Sequence, residues 1–169
     1  LQNMKDVASF AGKTVPIGDR AVQFFSFVAA CFARPAAAVD LTTYTHPSYQ
    51  LLPVTGMHWV GVALFALAAV SAVLSWRERS LRVCSLWVAF SAVLLLVVGW
   101  GAAENGMVLY TLYFFWAYAA LLYRLLLRVF RKNNVLRYAV VAAVLCLLVA
   151  VNAAGMLDLV RFATQYYPV

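Results

Sequence analysis

Charge is what this sequence has least of. Asp, Glu, Lys and Arg make up 11% of its 169 residues, with six carboxylates and two histidines among them and beside them. Soluble domains carry about 25% charged and 45–50% apolar residues, whereas here 66% are apolar. A water-soluble globule of this length has too little interior to hide that much apolar side chain. The composition excludes an ordinary cytosolic enzyme, a disordered segment and a secreted disulfide scaffold. A polytopic membrane protein remains.

Motifs of familiar chemistry are missing too. No G-x-S-x-G, P-loop, Rossmann glycine pattern or H-E-x-x-H occurs in the sequence, so neither cofactor nor metal is expected. The three cysteines, Cys31, Cys84 and Cys146, lie inside apolar runs without a C-x-x-C. They read as small buried hydrophobes, which argues against a thiol oxidoreductase. The first residue is Leu1, and the opening 20 residues are mixed polar, unlike a secretory signal. The expectation is the C-terminal part of a longer chain, or a chain whose leader was removed.

Four long uncharged runs are present: 59–76, 83–101, 107–123 and 138–157. At 17–20 residues each, they make about 26–30 Å of helix, enough to cross the hydrocarbon core. Spanning strands would need only ~10 residues with strict alternation. The fold expected is therefore an all-α membrane protein with four antiparallel transmembrane helices. Segment 58–169 forms this bundle, and 1–57 forms a segment on its outer face.

The net charge of +7 is placed to orient such a bundle. Eight of the 13 basic residues (Arg77, Arg79, Arg82, Arg124, Arg128, Arg131, Lys132 and Arg137) lie in two short clusters with only Glu78 beside them. Positive residues next to spans mark the cytoplasmic side, which puts 77–82 and 124–137 inside and 102–106 and the C-terminus outside. The clusters also suit anionic lipid headgroups. Nucleic acid would instead want a basic face on a soluble fold, and no nucleic-acid partner is expected.

Ala21–Ala33 is apolar but only 13 residues long. It reads as a short outer-leaflet helix or as the end of a fifth span, with Asp19 as N-cap and Pro35 stopping it at Arg34. The stretch 36–57 reads as a polar outer loop stiffened by prolines. In the tail, Met156, Leu159, Val160, Ala163 and Tyr167 line one face, which predicts a helix turning to lie at the outer interface.

Candidate functional groups gather on the outer side. Glu104-Asn105 is either a solvated turn or a carboxylate facing a bundle cavity. Tyr110, Tyr113, Phe114, Ala117 and Leu121 share a helical face, read as packing or as a ligand wall. The tyrosine hydroxyls require partners in either case. Asp40, His46 and His58 supply polar groups near the outer surface, and the two histidines lack the i, i+4 spacing of a helical zinc pair. Asn152, within the last span, reads as an interhelical hydrogen-bonding group.

The stretches WGAAENGMVLYTLYFFWAYAALLYRLL, IGDRAVQFFSFVAACFARP and DLVRFATQYYP resemble the C-terminal part of bacterial polytopic membrane glycosyltransferases of the C type. The resemblance implies a polyprenyl-phosphate sugar donor and surface-glycan modification on the outer face of the bacterial inner membrane. It implies a catalytic acid in a first outer loop, which no segment here matches, so no catalytic residue is carried over. The chain would be a scaffold and carrier-binding portion. Arg34 or Arg20 would meet the phosphate, and Asp40, His46, Glu104 and Asn105 would orient sugar hydroxyls beside Tyr110 and Tyr113. The competing expectation is a non-catalytic integral subunit of a larger membrane complex. An ion or proton pathway is disfavoured, because no charge lies inside a span core.

Overall fold

A computed structural model describes residues 15–33, 37–40, 48–51, 57–101 and 110–166. The chain is built of helices α1 (Ile17–Ala30), α2 (His58–Leu74), α3 (Arg79–Ser91), α4 (Thr111–Val129) and α5 (Asn134–Tyr166). A π-helical segment, Ala92–Val97, extends α3. Strands β1 (Ala37–Asp40) and β2 (Ser48–Leu51) form a short antiparallel ladder, with Ala37 opposite Leu51 and Asp40 opposite Ser48. The polar segment 36–57 was expected as loop. β-branched and aromatic neighbours such as Val39 and Tyr49 favour extended pairing there.

Among the described residues, three helical stretches are long and apolar enough to cross a membrane: Arg79–Val97, Thr111–Val129 and Asn134–Leu157. α2 is apolar as well but shorter, at 17 residues. The helices overrun the uncharged runs toward the arginines. α4 continues beyond the run that ends at 123, through Arg124 and Arg128 to Val129, while 107–109 lie outside the described residues. Arginine in a last turn is favourable, because its charge meets the negative end of the helix dipole and its stem lies along apolar surface. The C-terminal region departs from expectation as well. α5 runs unbroken for 33 residues, about 50 Å, with no turn between the apolar run and the tail.

α1 is the most deeply packed element. Phe24, Phe27 and Val28 are fully buried and Ala29 nearly so. Pro16 occupies the N-cap position, so Asp19 sits in the first turn instead of capping the helix. Its carboxylate there still favours the helix by meeting the positive end of the dipole. The helix ends at Ala30, with the Cys31 N–H bonded to the Phe27 carbonyl, four residues short of the expected stop. Phe24 packs edge-on against Phe65 at 5.4 Å, Phe27 against Phe114 at 6.0 Å and Phe32 against Phe115 at 5.5 Å. Gly61 of α2 lies against the Phe25 backbone.

Gly61 lies in the first turn of α2, Phe65 at its middle, and Phe114 and Phe115 in the first turns of α4, so α1 packs along the first half of α2 and against the start of α4.

The core below α1 joins Ala68 of α2, Cys84, Val88 and Leu95 of α3 and its extension, and Phe114, Ala117, Tyr118 and Leu121 of α4. Two buried serine hydroxyls in this core are paired, as a low-dielectric interior favours. Ser71 donates to the Leu121 carbonyl at 2.6 Å, linking α2 to α4. Ser91 donates to the Val88 carbonyl at 2.7 Å and lies 2.9 Å from the Tyr118 hydroxyl. α5 stands largely apart from this core, with 6% of its most apolar window buried. Cys31 and Cys84 are buried, while Cys146 on α5 is exposed, contrary to its expected burial. Its helix presents apolar residues nearly all round, the character of a segment surrounded by hydrocarbon.

Candidate lipid-chain groove

One concavity among the described residues lies where the turn after α1 meets α4 and α5. Ala30, Cys31 and Phe32 form its floor, and Thr111, Leu112 and Phe115 of α4 form one wall. Leu145, Leu148, Val149 and Asn152 of α5 form the other. The space measures about 480 Å³. It is open sideways, since Leu112, Leu145 and Val149 are all exposed. Its polar groups are few and turned to the backbone. Asn152 Nδ2 donates to the Phe32 carbonyl at 3.0 Å and to the Leu148 carbonyl at 2.8 Å. The Cys31 thiol points at the Thr111 carbonyl, 3.9 Å away, and burial pushes that thiol up to about 12, so it stays protonated.

Asn152 thus makes a tertiary hydrogen bond, though to the turn after α1 and not to a second helix as expected. Sequence reasoning found this residue but not the groove beside it. The floor lies about 80 residues from one wall and about 120 from the other along the chain, and no local spacing reveals the groove. An amide in the middle of an apolar span was the one available signal.

Of the proposed substrate contacts, Arg20, Tyr110 and Tyr113 have described side chains, and none of them lines the groove; neither does His58, which opens α2 with its ring 4.9 Å from that of Trp59. Arg20 serves the fold. Its Nε donates to the Val15 carbonyl at 2.9 Å and its Nη1 to the Val97 carbonyl at 3.1 Å, closing the end of the π-helical segment. Gly99, at φ +73°, passes directly beneath this guanidinium. The Tyr110 hydroxyl accepts from Trp100 Nε1 at 2.6 Å, one of the hydroxyl partnerships a tyrosine-rich span needs. Tyr110 and Tyr113 are neighbours, with ring centroids 6.4 Å apart.

Tyr113 does not share the buried face with Phe114, Ala117 and Leu121. Its side chain is 65% exposed, while Tyr118 takes the inward place. Positions 114, 117, 118 and 121 make the narrower stripe that meets the core, and Tyr113 falls outside its arc. Its carbonyl accepts from both Trp87 Nε1 and Trp116 Nε1, at 2.9 and 3.0 Å. Asp40 is placed by its backbone, at the end of β1. Glu104, Asn105, His46 and Arg34 lie outside the described residues. Among the described residues no group of three or more metal-ligating side chains occurs.

No family model, curated protein or solved structure matches the chain.

Proposed function

We propose that the chain is the membrane portion of a glycosyltransferase that uses a polyprenyl-phosphate-linked sugar to modify surface glycans, and that its part is to hold the carrier's apolar chain. The observation that carries this reading is the laterally open groove between α4 and α5, floored by the turn after α1. A carrier confined to the bilayer must enter from the side, and this groove opens between two helices long enough to span. α2 acts as a fourth span in this reading. The arginine-rich turns face the cytoplasm of a bacterial inner membrane, the groove lies in the outer leaflet, and the last turns of α5 emerge at the outer interface. In this reading Arg34 is the partner of the carrier phosphate, and Glu104, Asn105, Asp40 and His46 are the partners of sugar hydroxyls.

Hydrocarbon gains little by leaving lipid tails for an apolar wall, because the tails are as apolar as Leu. Preference for a prenyl chain therefore comes from shape: a methyl-branched, stiff chain fills the space beside Phe32 and Phe115 better than a flexible acyl chain does. The test is equilibrium binding of a fluorescent short polyprenyl phosphate to the purified protein. Val149→Trp fills the groove and should weaken binding at least tenfold, whereas Leu147→Trp, on an exposed position outside the groove, should leave it unchanged. Equal binding by both variants, or equal binding of a saturated alkyl phosphate, overturns the reading.

A second reading is a non-catalytic subunit of a larger membrane complex. What supports it is α5, whose apolar window is only 6% buried and so leaves a span-length surface for neighbouring helices. Purification in mild detergent separates the two readings: a subunit brings stoichiometric partner chains, and a self-sufficient carrier-binding unit does not.

A further inference from the structure

The arginine-rich end sorts its cations into two groups. Arg124 pairs with Glu78 through Nε at 3.1 Å and also through Nη2. Arg128 donates to the Leu74 carbonyl at 2.8 Å, closing the end of α2. Arg82 donates to the Trp76 carbonyl at 3.2 Å and lies over the Trp76 ring. These contacts fasten the turn after α2 to the far end of α4, so both basic clusters share one surface. Arg137 is held against Tyr138.

Arg77, Arg79, Arg131 and Lys132 are different. All four are exposed and have no protein partner among the described residues. Glu78, the one carboxylate in these clusters, is taken by Arg124. Two helix N-termini, at Arg79 and Asn134, and two helix C-termini, at Leu74 and Val129, end on this surface, so their partial charges offset and the positive charge is that of the side chains. Immediately beside the cations are exposed apolar and aromatic side chains: Trp76, Val129, Val135, Leu136 and Tyr138. A soluble polyanion needs the charges but not this apolar collar. A phospholipid needs both, its phosphate at the cations and its chains alongside the helices, with Trp and Tyr at the headgroup level.

We propose that Arg77, Arg79, Arg131 and Lys132 form a docking surface for the headgroups of anionic phospholipids, while Arg82, Arg124 and Arg128 hold the surface together. The surface lies at the opposite end of the bundle from the groove and does not depend on its function.

The experiment compares thermal stability of the full chain in micelles containing phosphatidylglycerol or phosphatidylcholine. The wild type should melt several degrees higher with phosphatidylglycerol, and 0.5 M NaCl should reduce that difference, because exposed charges are screened. The combined variant Arg77→Gln/Arg79→Gln/Arg131→Gln/Lys132→Gln should melt at one temperature in both lipids. Arg124→Gln should melt lower in both yet keep the difference. Should the combined variant not fold, the pairs Arg77→Gln/Arg79→Gln and Arg131→Gln/Lys132→Gln should each lose part of the difference. A difference that survives all four substitutions or both pairs overturns the proposal. So does its absence in the wild type, or an equal rise when inorganic phosphate replaces the lipid at matched ionic strength.

Discussion

Gly61 of α2 and Phe25 of α1 meet backbone to backbone: a methyl group at Gly61 would lie 1.7 Å from the Phe25 carbonyl oxygen. That atom belongs to the main chain, so no rotamer change relieves the clash. α1 can approach α2 this closely only because position 61 carries no side chain. Gly61→Ala should therefore push α1 off its seat and destabilise the fold by about 1–3 kcal/mol, the range of core overpacking. Thermal unfolding in detergent measures it. Wild-type stability in Gly61→Ala would mean that α1 is not seated as described.

The Ser91–Tyr118 pair makes an asymmetric prediction. Ser91 spends its one proton on the Val88 carbonyl, so Tyr118 must donate into the Ser91 oxygen. Ser91→Ala strands the buried Tyr118 hydroxyl and should cost about 1–3 kcal/mol, whereas Tyr118→Phe removes the donor and should cost about 1 kcal/mol or less. Chemical or thermal denaturation of the two single variants checks the order. Equal losses would place another acceptor beside Tyr118.

Arg20 closes the π-helical segment, and its planar fork is matched to two carbonyls from different parts of the chain. Arg20→Lys keeps the charge but cannot make both bonds in that geometry, so it should destabilise almost as much as Arg20→Gln. Gly99→Ala should act at the same place, because φ +73° strains any residue with a Cβ and the methyl would press on the Arg20 side chain at 3.1 Å. If Arg20→Lys is neutral while Arg20→Gln is not, charge alone holds the segment.

The orientation drawn from the arginine clusters is tested by single cysteines in a background lacking Cys31, Cys84 and Cys146. In intact cells, cysteines at Ser80 and Asn133 should be shielded from an impermeant thiol reagent, and one at Asn105 should label. Labelling at Ser80 with protection at Asn105 would invert the topology.

The sequence made three apolar helices of span length legible, because an uncharged run of that length has few alternatives to a membrane helix, whereas the run at 59–76 became the shorter α2. Helix boundaries were less legible, since hydropathy marks where apolar residues lie and not where hydrogen bonding stops. Arg79 opens α3 and Arg128 lies in the last turn of α4, both beyond the runs that announced their helices. α1 was legible as a short apolar helix, but its seat on Gly61 was not, because close approach depends on a partner 36 positions away. Asn152 was recognised as a tertiary hydrogen-bonding group from its chemistry alone, but its partner in the turn after α1 was not. The groove it borders required Phe32, Thr111 and Val149 to be brought together by tertiary packing, which no periodicity encodes.

The central claim, that the groove between α4 and α5 takes a prenyl chain, is tested most directly by photo-crosslinking. A polyprenyl phosphate carrying a benzophenone on its chain is reconstituted with the protein in liposomes, irradiated, and mapped by mass spectrometry. Adducts should concentrate on Leu112, Leu145, Leu148 and Val149 and should disappear when excess unlabelled polyprenyl phosphate competes. Adducts spread evenly over α5, reaching Leu147 and Val151 as often as Leu148 and unaffected by the competitor, would contradict it.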